Sequence, residues 1–151
     1  MVIEITVELI PNGEALQLQR LLGGGEVKAI ALLFLCIATA SGADFAQFTR
    51  AVHLVETSGR TGPILGDGGR ALGPLQIHRG CWQDSRVGGR YEDVADLAVA
   101  TAVLRAYLTR YAPRALAAED WTTCARVWNG GPRGASRSAT IGYSMRVVGR
   151  L

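Results

Sequence analysis

The hydrophobic pattern of the chain predicts a first helix over residues 44–58. Asp44 can cap its N-terminus with a side-chain carboxylate, and Gly59 ends it. The apolar positions that recur at helical spacing are Phe45, Phe48, Ala51, Val52 and Val55. One face of this helix is therefore expected to be buried.

The segment that follows, 59–73, reads GRTGPILGDGGRALG and contains too much glycine for a helix. Its composition predicts turns around one or two short strands, and Leu75–Ile77 can complete a small sheet. Residues 79–86 can then form one or two helical turns that carry Cys81 and Trp82.

A long helix is predicted from Glu92 or Asp93 to Tyr111, where Pro113 stops it. Its expected apolar stripe is Val94, Leu97, Ala98, Thr101, Leu104, Leu108 and Tyr111. No strand pattern interrupts this segment.

Two more helices are predicted in the last 32 residues. Asp120 caps the first, which runs through Trp128, and Ser138 caps the second. Their apolar positions are Trp121, Cys124, Ala125 and Trp128, and then Ile141, Met145 and Val148. The expected fold class is thus α+β, mainly α, with a small β-hairpin after the first helix.

The strongest change in composition lies near the N-terminus. Lys28 precedes the apolar run Ala29–Ala38, and small residues follow, which is the layout of a secretory signal peptide cut after Ala43 or, as second choice, after Ala40. About ten apolar residues are fewer than the roughly 20 that a bilayer-spanning helix needs.

Residues 1–27 carry four glutamates ahead of this signal. We expect that translation begins near Val27, the alternative being a cytoplasmic extension on a membrane-anchored protein. The expected organisation is therefore an extension plus signal peptide over 1–43, with the signal at 28–43, and one mature domain over 44–151.

The chain has 151 residues, of which 48% are hydrophobic and 19% charged, so it can bury one ordinary core. In residues 44–151, 14 arginines, no lysine and nine acidic residues give a formal charge of +5. Such a domain suits an anionic surface such as a bacterial cell wall. Because the arginines are scattered and form no basic run, no nucleic-acid partner is expected.

Export would leave two cysteines, Cys81 and Cys124. In an oxidising compartment this pair allows a disulfide, and the alternative is two buried thiols. His78 lies close to Cys81 in sequence, but no spacing typical of a metal site is present, and no metal is expected.

Glu56 and Asp67 are the main candidates for chemistry. Glu56 follows Val52 by one helical turn, so it lies on or beside the buried face, where burial would raise its pKa and keep it protonated as a general acid. Asp67 lies in a glycine-rich loop where its side chain stays accessible and ionised. Two carboxyl groups in opposed environments are what glycoside hydrolysis requires. The alternatives are a solvent-facing glutamate and a plain Asp-Gly turn.

Three blocks of sequence resemble the invertebrate-type lysozymes, a family that includes destabilase. They span about 90 residues, and the third is the most specific. The blocks are ETSGR at 56–60, GDGGRALGPLQIH at 66–78 continuing to CWQD at 81–84, and CARVWNGGPRG at 124–134 followed by TIGY at 140–143.

The resemblance implies a lysozyme-like fold and cleavage of the β-1,4 bond between N-acetylmuramic acid and N-acetylglucosamine, without a cofactor. It implies that Glu56 and Asp67 are the catalytic acid and its partner. It also implies two walls of a substrate cleft, formed by Gln76, Ile77 and His78 and by Asn129, Gly130 and Gly131. These cleft positions can equally be structural, because turns favour Asn and Gly.

The chain departs from the family at its cysteines. Ser85 and Ala135 stand where animal members would have cysteine. The expected stability then comes from packing around Trp82, Trp121 and Trp128, with at most one bridge between Cys81 and Cys124. This pattern favours a bacterial source. The isopeptidase activity associated with destabilase, for which Ser58 and His78 would be candidates, is not carried over.

The first hypothesis is thus a secreted or periplasmic muramidase that acts on peptidoglycan. A lytic transglycosylase on the same substrate is the alternative within the same fold, and it would need only the glutamate. The third hypothesis is a peptidoglycan-binding module that has lost catalysis. No stable membrane insertion is expected after removal of the signal peptide.

Overall fold

The computed structural model describes residues 43–151. The predicted extension and the predicted signal peptide up to residue 42, with the apolar run Ala29–Ala38, lie outside the described residues. Between residues 43 and 151 no helix is both long and apolar enough to cross a membrane.

The described residues form six α-helices and one antiparallel sheet of three two-residue strands. In chain order the elements are α1 (Phe45–Thr57), β1 (Leu65–Gly66), β2 (Ala71–Leu72), β3 (Ile77–His78), α2 (Arg79–Ser85), α3 (Leu97–Tyr111), α4 (Pro113–Ala117), α5 (Trp121–Gly130) and α6 (Ile141–Val148). Short 3₁₀ helices lie at Asp67–Gly69, Tyr91–Ala95, Gly134–Ser136 and Ser138–Thr140. The predicted fold class, α+β and mainly α with a small hairpin after the first helix, is confirmed.

Helix α1 begins and ends as its sequence predicts. The Asp44 side chain accepts a hydrogen bond from the backbone N–H of Gln47, and the Gln47 side chain accepts one from the backbone N–H of Asp44. This reciprocal capping box satisfies two backbone donors that a helix start otherwise leaves free. Ser58, in the left-handed conformation, terminates the helix one residue before Gly59.

The sheet has the order β1-β2-β3, with both neighbouring pairs antiparallel. Leu65 lies opposite Leu72, and Leu72 lies opposite Ile77. The third strand begins at Ile77 rather than at the predicted Leu75, because Gln76 has a φ of 49° and belongs to the turn. Strand geometry cannot include a left-handed residue.

The predicted long helix is two elements. A 3₁₀ helix covers Tyr91–Ala95, and α3 starts anew at Leu97. Asp96 separates them, since its backbone is extended and its carboxylate accepts hydrogen bonds from the backbone N–H groups of Ala98 and Val99. The buried face of α3 is Ala100, Val103, Leu104, Tyr107 and Leu108. The predicted stripe was therefore wrong at Ala98, which is exposed.

Pro113 follows the end of α3 as predicted, but it also begins the short helix α4, where its missing N–H costs nothing.

The last helix, α6, differs more from its prediction. Ser138 does not cap it, because a 3₁₀ turn at Ser138–Thr140 precedes α6, which starts at Ile141 without a side-chain cap.

The buried face of α6 is opposite to the predicted one. Tyr143, Ser144 and Val147 are buried where α6 packs on α1 and α5, whereas the predicted apolar positions face outward. Those exposed residues are Ile141, Met145 and Val148. The helical spacing of these three apolar residues therefore did not identify the packed face. Tyr143 and Val147, one helical turn apart, form that face instead.

The core lies between α1, α3, α5 and α6, with the sheet at one edge. Phe48 is fully buried, and its ring stacks on Trp121 with 4.8 Å between the centroids. Burying a side chain of this size contributes roughly 1.5–3 kcal/mol. Trp121 belongs to the core as predicted, while Trp82 and Trp128 are partly buried against it.

Cys81 and Cys124 are both free thiols. No disulfide joins them in the described structure. Cys124 is fully buried in the core on α5, whereas Cys81 is partly buried on α2. Burial raises the pKa of each thiol to about 12, so neither is a ready nucleophile.

Candidate active site

One cleft with a volume of about 280 Å³ brings together most of the predicted site. The end of α1 forms one side, the sheet and the start of α2 form another, and the end of α5 forms a third. Its lining residues are Glu56, Asp67, Ala71, Gln76, Ile77, His78, Cys81, Trp128 and Asn129. Both candidate carboxyl groups therefore face the same space.

Glu56 lies in the last turn of α1 and is partly buried. The hydroxyl group of Tyr143 donates a hydrogen bond to Glu56 Oε1, with 2.6 Å between the oxygens. Burial raises the pKa of the Glu56 carboxyl above its usual value of 4.5, and the Tyr143 hydroxyl, the Arg146 charge and the Trp128 indole oppose this rise. The net direction is upward, which favours a protonated acid.

The end of α1 is tied to the sheet side of the cleft by Thr57. Thr57 is 3% exposed, and its hydroxyl group lies 2.9 Å from the carbonyl oxygen of Pro74, three residues before β3. The same hydroxyl is 3.1 Å from the carbonyl oxygen of Arg60, to which the His53 ring nitrogen also hydrogen-bonds. These contacts fix the residue next to Glu56, and they place His53 in a structural role.

Asp67 lies at the other wall in a strained loop, with a φ of 49°. Arg70 Nη2 donates to its Oδ1 at 2.7 Å, and His78 Nε2 lies 3.3 Å from its Oδ2. The side chain of Asp67 is 45% exposed. The guanidinium on one oxygen and the imidazole beside the other fix the direction of this carboxyl group.

Gln76 lines the cleft, but its amide group is engaged with the backbone. Its Nε2 donates to the carbonyl oxygens of Ile64 and Gly73, at 3.1 and 2.9 Å. Its Oε1 lies against Gly66, where any side chain would collide with it. Gln76 therefore braces the hairpin in its present arrangement, and a substrate contact through its amide nitrogen would have to replace one of these bonds.

Of the three residues predicted for the opposite wall, Asn129 alone is among the lining residues. Gly130 packs against the Thr140 methyl group, which a β-carbon at this position would approach to 2.5 Å. Gly131 has a φ of 78°, which glycine adopts without strain. Gly130 and Gly131 are not among the residues that line this cavity, and their glycine character serves close packing and a turn.

Comparison with known proteins finds lysozymes among the similar sequences and structures. No protein-family model matches the chain. Lysozyme 1 of Crassostrea virginica is 39% identical over 79 residues, which are 51% of this chain and 43% of that protein. The chain therefore spans less than half the length of this relative.

Solved structures cover more of the fold. A chain in the crystal structure of Aeromonas hydrophila PliI in complex with Meretrix lusoria lysozyme matches with a TM-score of 0.59 and 27% identity, over 70% of this chain and 91% of that one. The Tapes japonica lysozyme structure matches with a TM-score of 0.60 and 24% identity, over the same shares. The chain is thus similar to lysozymes in sequence over about half of its length, and its fold is similar to theirs over a larger share of the chain.

Sequence reasoning named the two candidate carboxyl groups, Glu56 and Asp67, and missed two residues that lie around Glu56. Tyr143 ends the TIGY block at 140–143, and nothing in its local sequence gives it a role. Its contact with Glu56 spans 87 positions, so no local pattern reveals it. Thr57 was missed for a similar reason, because its partner Pro74 is 17 positions away. What marks both residues in the structure is a buried side chain with a hydroxyl group close to Glu56.

Proposed function

We propose that the protein is a secreted or periplasmic muramidase that hydrolyses the β-1,4 bond between N-acetylmuramic acid and N-acetylglucosamine in peptidoglycan. The observation that carries this proposal is the presence of Glu56 and Asp67 in one cleft, in opposed environments. The names of the similar proteins, all lysozymes, support it.

Glu56 is suited to the role of general acid. Its pKa is raised by burial, so a larger fraction carries a proton near neutral pH than in water. That proton passes to the glycosidic oxygen as the bond from this oxygen to the anomeric carbon breaks. The electron pair of the broken bond stays with the oxygen, which becomes the new hydroxyl group of the leaving sugar.

Asp67 is suited to the complementary role. The anomeric carbon gains positive charge as the bond breaks, and an ionised carboxylate stabilises or attacks it. Arg70 and His78 hold the two oxygens of Asp67, which fixes the direction of the carboxylate. A water molecule then supplies the hydroxyl group at the anomeric carbon and returns a proton to Glu56.

The charge of the domain fits the substrate class. Residues 44–151 carry a formal charge of +5, which suits a cell wall that is anionic overall. The two carboxyl groups supply the acid and the charge stabilisation that this reaction needs, so the proposal includes no cofactor.

The test compares the full wild-type chain with Glu56→Gln and Asp67→Asn. Loss of turbidity of a wall suspension is expected to fall at least about 100-fold in each variant, because each removes one half of the acid and carboxylate pair. Glu119→Gln is the matched control, since it makes the same chemical change at an exposed residue outside the cleft. Normal activity of Glu56→Gln would reject the mechanism.

The products separate the proposal from its alternatives. In ¹⁸O-labelled water, hydrolysis places one labelled oxygen on each new reducing end, which mass spectrometry detects. A lytic transglycosylase would release an anhydro sugar without label and would tolerate Asp67→Asn. A binding module would sediment with peptidoglycan and release no reducing ends.

A further inference from the structure

We propose that Tyr143 is a positioning residue for the acid: its hydroxyl group occupies Glu56 Oε1 and leaves Oε2 as the oxygen that carries the transferable proton. This inference rests on the proposed muramidase function and deepens it. It assigns separate tasks to the two oxygens of one carboxyl group.

The geometry of the contact is that of a strong hydrogen bond. The distance of 2.6 Å between the oxygens is typical of an O–H group that donates to a carboxylate. Tyr143 is 5% exposed and lies on α6, which packs against α1. The Tyr143 side chain is therefore held in place by packing in the core, and its hydroxyl group is shielded from solvent.

The direction of donation follows from the surroundings of Tyr143. Burial, together with the negative charge of Glu56, raises the pKa of the phenol well above 10, so it keeps its proton at any pH where the enzyme would work. A buried O–H group without an acceptor costs free energy. Glu56 Oε1 is the acceptor that the described residues provide. A proton on Oε1 would displace this bond, so the acid proton belongs on Oε2.

Two other groups also favour the charged form of Glu56. Arg146, from the same helix as Tyr143, acts through its charge, and Trp128, at the end of α5, acts as a weaker hydrogen-bond donor than Tyr143. Asp67 and His78 lie in the same cleft, on the sheet side. Of these residues, Tyr143 alone has an oxygen-to-oxygen hydrogen bond with the carboxyl group in the described structure.

Tyr143→Phe removes the hydroxyl group and keeps the ring. Because the lost bond is stronger to the ionised carboxylate than to the neutral acid, the pKa of Glu56 should rise in the variant. The alkaline limb of the profile of kcat against pH should then move up by about half to one pH unit. We also expect kcat at the plateau to fall roughly tenfold, with KM changed less than about twofold, because the acid is less well oriented.

Tyr91→Phe is the matched control. The Tyr91 hydroxyl is also buried and donates a bond of 2.6 Å, but to the carbonyl oxygen of Ile77. This variant should lose comparable thermal stability without moving the alkaline limb. If Tyr143→Phe loses stability and leaves the limb in place, Tyr143 is merely structural and the inference is wrong.

A second readout does not depend on turnover. Titration of the Glu56 side-chain carboxyl by ¹³C NMR in wild type and Tyr143→Phe should show the same upward shift of its midpoint. An unmoved midpoint would overturn the inference even if the variant were inactive. The proposed function has its own test in Glu56→Gln, so an active Glu56→Gln variant identifies failure of the muramidase proposal, whatever the NMR midpoint shows.

Discussion

Replacement of Thr57 by valine tests whether one buried hydroxyl group holds the acid-bearing helix against the sheet. The change keeps the size and the β-branched shape of the side chain and removes only its hydrogen-bonding capacity. Thr57 is 3% exposed, and its closest acceptor is the carbonyl oxygen of Pro74 at 2.9 Å. Pro74 is itself fully buried, so water cannot replace the lost donor.

The expected cost follows from these contacts. A hydroxyl group has one proton, so the three carbonyl oxygens within reach of Thr57 share a single donor, and the loss is counted once. A lost buried bond that leaves a carbonyl group without its partner costs about 1–3 kcal/mol. Taking about 2 kcal/mol for a domain of this size, Tm should fall by roughly 8 °C.

Thermal unfolding followed by circular dichroism measures this effect. Thr49→Val is the control, because Thr49 is also buried on α1 but donates only to the carbonyl oxygen of Phe45 within the helix. It should cost about 0.5 kcal/mol. Turbidity assays should show a roughly tenfold lower kcat for Thr57→Val, since Glu56 is its chain neighbour and misplaced acids transfer protons slowly.

Equal Tm values for Thr57→Val and Thr49→Val, within about 2 °C, would refute the reasoning. The bond across 17 positions would then contribute no more than an ordinary helical one. A lower Tm with unchanged kcat would keep the energetic estimate and reject the link to the acid.

Three further outcomes are expected. Burial raises the pKa of Glu56 in the folded state, so the contribution of this residue to the free energy of unfolding is fully present below pH 4.5 and is lost as pH rises through the folded-state pKa. Glutamine does not titrate, so the stability of Glu56→Gln relative to wild type should increase between pH 4 and pH 8, as measured by urea unfolding. Gly73→Ala should lose at least about 1 kcal/mol by the same method, because φ is 81° and a β-carbon would collide with the carbonyl oxygen of Val94. Phe48→Ala should lose about 3–5 kcal/mol, since it removes a fully buried ring stacked on Trp121, and a loss below about 1 kcal/mol would contradict that packing.

Local sequence features predicted the parts of the fold that local interactions determine. Asp44, Asp120 and Gly59 mark the helix ends correctly, because capping depends on residues three or four positions apart. Asp96 lay inside a continuous apolar pattern, and its capping role was missed because Leu97 and Val94 both fit one longer helix. The outward-facing stripe of α6 was mistaken for its packed face, because periodicity identifies a stripe and does not show what covers it.

The candidate site shows the same division. Glu56 and Asp67 were identifiable because each has an unusual local setting, one on an apolar helix face and one between glycines. Tyr143 depends on how α6 docks onto α1, and this is a property of the whole fold. Gly130 was assigned to the cleft through the resemblance to lysozymes, whereas its contact with Thr140 exists only in three dimensions.

The span of 87 positions between Glu56 and Tyr143 has a consequence for biosynthesis. A ribosome delivers the helix with the carboxyl group early and the phenol among the last segments of this domain. Until then the carboxyl group has neither its hydroxyl partner nor the helix that covers it. The surroundings described for Glu56 can therefore form only after residue 143 has been synthesised.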